Sequence, residues 1–237
     1  MSSYDAIAEL YDPWNRSVTE DVNFYVAEAR KDGGPVVELG VGTGRIAIPI
    51  ARKRVPVIGV DSSSRMLALC RRRAEEAGVA ELVDLRKGDL RRPPVRERVS
   101  LVTSPFRSLL HLRSDAARLQ ALGAVYDLLE PDGRFIFDVF TPSAADVKET
   151  HDRWIEREPG IWEHAKWDVG ARTVELSVKG TPGKTTMHLA WVSPDEWRSL
   201  LEQAGFTVEA CYGWFDRSPY KGDEDTVWIA RRASQKG

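Results

Sequence analysis

The stretch VVELGVGTGRIAIPIARK, Val36 to Lys53, decides the fold: an apolar run, then Gly40, Gly42 and Gly44, then a segment with helical spacing. Glycines at a strand-to-helix turn let a ligand come close to the backbone, and the helix that follows offers unpaired N–H groups. The expected occupant is a nucleotide-like cofactor.

Working outward, β-rich segments alternate with amphipathic ones over the first 140 or so residues. Val18, Val22, Tyr25, Val26 and Ala29 recur at helical spacing before the glycine turn. After it come a strand VPVIGVD (Val55–Asp61) and a helix SSSRMLALCRRRAEEAG, capped by Ser62 or Ser63 and stopped by Gly78. LVDLRKGDL and VSLVTSP continue the strands. SDAARLQALGAVYDLLEPDG reads as a helix ended by a Pro131-Asp132-Gly133 turn that feeds the strand RFIFDVF. Such alternation favours a parallel sheet with helices on both faces.

The pattern breaks between Ile161 and Val192, where IWEHAKWDV, TVELSVKG and TTMHLAWV read as consecutive antiparallel strands. SPDEWRSLLEQAG is then a helix with Ser193 as N-cap, Pro194 at its first position and Gly205 as its stop. FTVEACYGWF and DTVWIARR close the chain as strands, followed by a tail, ASQKG, expected to fray.

Composition narrows the function classes. The 237 residues are 42% hydrophobic, enough for a sizeable core, and the net charge of −2 supplies no global field for nucleic acid or an anionic membrane. Cys70 and Cys211 have no partner at metal-ligand or disulfide-framework spacing, which fits a reducing compartment. The acidic, weakly apolar start and the lack of any bilayer-length run give a cytoplasmic expectation. Four histidines without close paired spacing predict no metal site.

Two cofactor classes compete for the glycine turn. A dinucleotide site requires G-x-G-x-x-G, but here the third glycine falls one place early and Arg45 stands where that pattern needs a small residue. VVELGVGTGR instead resembles motif I of the class I S-adenosylmethionine-dependent methyltransferases, E/D-x-G-x-G-x-G. The resemblance implies that Glu38 supports the methionine end of the cofactor and that Gly40, Gly42 and Gly44 run beside its nucleoside and methionine parts. Asp61, ending VIGVD, would accept from the ribose hydroxyls, a geometry shared with dinucleotide enzymes. RKGDL resembles the family's adenine motif, with Asp89 accepting from the adenine amino group and the Leu90 backbone meeting the ring. Ser104, at the end of the fourth strand, joins this cofactor-binding set. The implied fold is α/β, a Rossmann-like seven-stranded mostly parallel sheet with a reversed last strand, plus an antiparallel β insertion. As a single domain 1–237, it carries a helical N-terminal lid over 1–32 and the insertion over 150–192.

Acceptor-side residues are expected at the fourth strand end, LVTSPFRSLLHL. Thr103-Ser104-Pro105-Phe106 lacks the amide or acid and the second proline of the N/D-P-P-Y/F motif that grips nucleobase nitrogens. The segment is closer to that of small-molecule methyltransferases, including aminosugar N-methyltransferases with F-S-S-x-x-H/Y-L; here Arg107 replaces the first serine. That resemblance turns His111 toward the acceptor as a candidate general base, with a core histidine as the structural alternative. Phe106, Arg107 and Tyr11 form the substrate-binding set. Tyr11, with Tyr4 and Trp14 beside it, either stacks and hydrogen-bonds at the pocket entrance or forms a plain hydrophobic lid. The tryptophans of the insertion, Trp154, Trp162, Trp167 and Trp191, line a pocket or pack the insertion itself. The aromatic loop YGWFDRSPYKGD either carries specificity or staples a hairpin.

The expected function is transfer of a methyl group from S-adenosylmethionine, leaving S-adenosylhomocysteine, to an amine or hydroxyl of a small-molecule acceptor, mainly by positioning. N-methylation is slightly ahead of O-methylation. No nucleic-acid or membrane partner is expected, and the chain would act as a monomer or homodimer. The competing readings are an NAD(P)-dependent oxidoreductase, disfavoured by the glycine spacing and the lack of a Tyr-x-x-x-Lys pair, an RNA methyltransferase using the basic RKGDLRRPPVRER stretch, and a cofactor-binding protein without catalysis.

Overall fold

The computed structural model describes residues 2–17, 19–222 and 224–233; Val18 and most of the tail expected to fray, residues 234–237, lie outside them. A 3-10 turn (Ser3–Ile7) leads into α1 (Ala8–Trp14) and α2 (Glu20–Asp32). Strand–helix alternation follows as β1 (Val36–Leu39), α3 (Ala47–Ala51), β2 (Val57–Asp61), α4 (Ser64–Glu76), β3 (Val83–Lys87), β4 (Val99–Ser104), α5 (Asp115–Leu128) and β5 (Leu129–Phe140). After α6 (Ala144–Thr150) come β6 (Arg153–Glu158), β7 (Ile161–Asp168), β8 (Thr173–Gly180) and β9 (Gly183–Ala190). The chain then returns through α7 (Pro194–Gln203), β10 (Phe206–Tyr212) and β11 (Asp225–Arg232).

Seven strands form one sheet in the order β10-β11-β5-β4-β1-β2-β3. β11 is the reversed strand, antiparallel to both β10 and β5, which flank it. All four residues of β1 are buried because helices cover both faces, which explains an apolar run rather than an alternating one. On one face α5 and α7 pack Leu122, Val125 and Trp197 against Phe135, Phe137 and Trp228. On the other, α2, α3 and α4 bring Phe24, Tyr25, Ile50 and Cys70 onto Val36, Val57 and Leu101. Chain order reverses at β1, which lies between β4 and β2, so a crevice opens where these strands end.

Local signals set the helix ends. Ser63 Oγ accepts from the Met66 amide to start α4, which stops before Gly78 at φ 66°. Ser193 and Glu196 form a reciprocal capping box, with Pro194 inside the start of α7.

Three sequence expectations need correction. β5 begins at Leu129, before the Pro131-Asp132-Gly133 turn; its register on β4 jumps from Val99↔Leu129 to Leu101↔Arg134, so that turn bulges out of the strand. The insertion is a four-stranded sheet, β6-β7-β8-β9, because RWIERE pairs as an additional edge strand. It was hidden by its charges, which suit an exposed edge. The segment 1–32 is not one lid: α2 packs Phe24, Tyr25 and Ala29 into the core, and only the chain through α1 lies over the strand ends.

That N-terminal segment is held by the insertion. Ile7 and Leu10 pack on Ile161, Val178 and Met187, and Thr185 Oγ1 donates to the Ser3 carbonyl at 2.6 Å. No helix among the described residues is long and apolar enough to cross a membrane.

Candidate functional site

Two cavities meet at the crevice. One, of about 760 Å³, lies over the ends of β1, β2 and β3 and is lined by Gly40, Gly42, Asp61, Met66, Asp89 and Leu90. The other, of about 520 Å³, lies between the main sheet and the insertion, whose Trp167, Val174, Leu176, Met187 and Leu189 form one wall. Tyr4, Tyr11, Phe106 and His111 line both, so these side chains form the partition.

The glycine turn divides its labour. Gly42 sits at φ 55° with only the Gly40 carbonyl and Tyr11 about 4 Å from where a Cβ would stand, so its backbone faces the first cavity. Its N–H donates to Asp61 Oδ2 at 2.9 Å, while the Ser63 N–H donates to Oδ1 at 2.8 Å. Burial raises the Asp61 pKa and these donors counter it. A carboxylate has further lone pairs, so Asp61 remains able to accept from a diol.

Gly44 corrects the sequence expectation. A Cβ there would meet Cys70 Sγ at 2.6 Å, so the third glycine lets α4 pack against the turn rather than facing a ligand. Ser104 is corrected too: it is fully buried, and its hydroxyl donates to the Leu39 carbonyl at 3.3 Å, linking β4 to β1. Asp89 lines the first cavity but is half-exposed, and Arg91 donates to both its oxygens at 2.9 and 2.6 Å, so the turn has already claimed much of its capacity.

Glu38 is 2% exposed and its Oε2 has no hydrogen-bond partner. Burial pushes its pKa up to about 8, an effect the Arg45 guanidinium partly offsets. An orphaned carboxyl oxygen beneath the glycine turn fits a cofactor that brings its own donor, as the ammonium of a methionyl group does. Arg45, the residue that breaks the dinucleotide pattern, donates through both terminal nitrogens to Asp21 of α2 at 2.7 and 2.6 Å and lies 4.8 Å from the Phe106 ring centre.

The partition is built from both ends of the Rossmann-like half. Tyr4 Oη lies 2.9 Å from Nε2 of His111, and the Tyr4 ring meets Tyr11 and His111 edge-on. Burial lowers the His111 pKa to about 4 and raises that of Tyr4, so at neutral pH both are uncharged. The segment that carries Tyr4 is clamped to the cofactor side: Ser63 Oγ donates to Asp5 Oδ1 at 2.6 Å, Thr43 Oγ1 donates to Asp12 at 2.7 Å, and Arg73 pairs with Asp12.

The second cavity is aromatic with charged patches. Arg107 lines it, donating to Asp225 at 2.7 Å and lying 4.6 Å from the Phe140 ring centre. Arg157 pairs with Glu163, which also accepts from Trp14 Nε1 at 3.0 Å. Asp146 and Glu224 add carboxylates that face each other electrostatically. Of the insertion's tryptophans only Trp167 reaches the cavity; Trp191 is buried in the core, and Trp154 and Trp162 are exposed on the outer face. The loop after β10 contributes Trp214 and Phe215. Among the described residues no group of three or more His, Cys, Asp or Glu is placed to hold a metal.

Sequence reasoning missed Asp138. This β5 residue is 4% exposed, accepts from Tyr25 Oη at 2.6 Å and from the Phe106 and Arg107 amides at 2.8 and 3.1 Å, and touches the second cavity. Its one sequence signal was an acid inside the apolar run RFIFDVF.

Comparison with known proteins agrees with this geometry. Residues 36–133 match the methyltransferase domain family. A putative methyltransferase of Geobacillus sp. (strain WCH70) is 24% identical over 234 residues, 94% of this chain and 93% of that one. The CcbJ methyltransferase from Streptomyces caelestis superposes with a TM-score of 0.86 at 26% identity, covering 99% of each chain. SAM-bound CalS10, an amino pentose methyltransferase from Micromonospora echinaspora, shares the fold with a TM-score of 0.66 at 20% identity over 92% of this chain and 93% of that one.

Proposed function

Since the chain is a class I S-adenosylmethionine-dependent methyltransferase, we propose that it methylates an amine nitrogen of a small molecule seated in the insertion-lined cavity. The observation that carries this reading is the charge of that cavity. Five carboxylates line it, those of Asp138, Asp146, Glu163, Glu224 and Asp225, against two guanidiniums, Arg107 and Arg157, and this excess of negative charge favours a cation. An amine acceptor arrives as ammonium; a hydroxyl acceptor has no such charge.

The first cavity fits the cofactor through the Asp61 carboxylate and the open Gly42 backbone that line it, with the Glu38 oxygen that lacks a donor buried beneath the glycine turn. When bound, S-adenosylmethionine supplies an electrophilic sulfonium methyl, so the chemistry is a single displacement by an unprotonated nitrogen. This chain's residues then have three tasks: excluding water, aligning the nitrogen and keeping it neutral. Tyr4, Tyr11 and Phe106 close the partition around the transfer path.

His111 is better suited to alignment than to storing a proton. An imidazole with its pKa near 4 stays neutral at pH 7, and in the tautomer whose Nε2–H donates to Tyr4 Oη, Nδ1 keeps the ring's one lone pair for an amine N–H. The proton shed by the acceptor passes toward the cavity's carboxylates and solvent.

The test is S-adenosylhomocysteine formation with paired acceptors: amino sugars and the same sugars carrying a hydroxyl in place of the amine, with products read by mass spectrometry. Turnover confined to the amino member is expected. Methyl transfer to the hydroxyl member at an equal rate overturns the amine reading.

A further inference from the structure

We propose that Asp138 is the positioning residue of this active site, its carboxylate fixing the Phe106–Arg107 turn that builds the partition between the two cavities. Phe106 and Arg107 are consecutive non-glycine residues in the left-handed region, at φ 55° and 61°. Side chains rarely adopt that conformation once, and twice in succession needs compensation from the surroundings. Asp138 supplies it. The Phe106 amide donates to Oδ1 and the Arg107 amide to Oδ2, and Tyr25 Oη donates to Oδ1 from α2, on the same buried carboxylate.

What the turn sets is the site. Phe106 lines both cavities and meets Tyr11 edge-on at 6.4 Å. Arg107 is the N-cap of the short 3-10 turn Ser108–His111, and its carbonyl accepts from the Leu110 amide at 3.0 Å. The position of His111 therefore follows from Asp138 through one peptide turn.

Only a carboxylate meets these demands. Both oxygens accept from backbone amides, whereas the amide of an asparagine has one acceptor oxygen and would point N–H donors at an N–H donor. The inference rests on methyl transfer by the family and not on the amine reading, since it concerns the partition rather than the acceptor.

The experiment labels the full chain with 4-fluorophenylalanine and reads the Phe106 fluorine resonance, assigned by its loss in Phe106→Leu. In Asp138→Asn that resonance is expected to move and broaden, with S-adenosylhomocysteine affinity falling about tenfold as Phe106 leaves its place in the wall of the first cavity. Adding Arg107→Gly to Asp138→Asn should return the resonance toward its wild-type position, because glycine takes the left-handed conformation freely. A merely structural aspartate gives no such rescue. A wild-type resonance and wild-type affinity in Asp138→Asn overturn the proposal. If Asp138→Asn does not fold, amide exchange in the wild-type chain decides: Phe106 and Arg107 should exchange about a hundredfold or more below the free-chain rate although they lie outside helix and strand. Free-chain exchange at both amides overturns the proposal.

Discussion

The phenol oxygen of Tyr4 lies 2.9 Å from Nε2 of His111, so the first turn of the chain closes onto the residue that divides the two cavities. His111→Ala is expected to lower turnover about tenfold or more while S-adenosylhomocysteine affinity changes less than about threefold. Tyr4→Phe, which removes only the hydroxyl, should lower turnover by a smaller factor, about three- to tenfold. Initial rates and calorimetric titration check both. Undiminished turnover in His111→Ala returns that residue to the role of a core histidine.

Gly42 and Gly44 should separate by phenotype. Gly44→Ala drives a Cβ to 2.6 Å from Cys70 Sγ, and overpacking of that kind costs about 1–3 kcal/mol beyond the strain of a positive φ. Gly42→Ala meets no such clash, so it should retain more of the thermal stability yet lose more of the cofactor affinity. Melting and titration of the two variants side by side give the comparison, and a larger affinity loss in Gly44→Ala would reverse the assignment.

Arg45→Met removes the fork that pairs with Asp21, a carboxylate with no exposed surface. Breaking one side of a buried pair costs about 3–5 kcal/mol, which for a chain of this size lowers the melting temperature by about 6–20 °C. Arg45→Lys keeps the charge without the bidentate geometry and should fall between Arg45→Met and wild type. A melting temperature unchanged in Arg45→Met contradicts the importance of the pair.

The strand–helix order and the glycine turn were legible because period and spacing are local properties. VVEL, VIGVD and VSLVTS read as strands from their apolar runs, and Ser63, Ser193 and Gly78 marked helix ends by their own chemistry. What could not be read were pairings between distant segments. Asp138 reaches Phe106 across 32 residues, Tyr4 reaches His111 across 107, and Arg45 reaches Asp21 from another element. The strand RWIERE escaped because its partner, not its composition, makes it a strand. Gly44 and Ser104 were assigned to the cofactor by motif position, whereas packing against Cys70 and a bond to the Leu39 carbonyl determine what each does.

Acid should weaken the fold through His111. Its pKa is lowered from 6.5 to about 4, so the unfolded chain takes up a proton that the folded chain refuses, and the stabilisation present above pH 6.5 is lost as pH falls toward 4. The loss reaches about 3 kcal/mol. Asp138 acts in the opposite sense: its pKa is raised to about 6 by burial, so its contribution is largest below its ordinary value and lost as pH rises through 6. The two are separated by comparing wild type with His111→Leu, which should show a flatter fall in melting temperature between pH 6.5 and 4. Parallel curves would contradict the burial of a neutral imidazole.

The most direct measurement is thermal unfolding of the wild type and of Asp61→Ala with S-adenosylhomocysteine and, separately, with NADH. At about 100 times Kd, the wild type should gain roughly 2.7 kcal/mol, a rise of about 5–10 °C, with S-adenosylhomocysteine alone. Asp61→Ala, lacking the carboxylate that receives Gly42 and faces the first cavity, should lose most of that rise at the same ligand concentration. An equal rise in Asp61→Ala, or a rise with NADH and none with S-adenosylhomocysteine, would contradict the assignment of this cavity to the methyl donor.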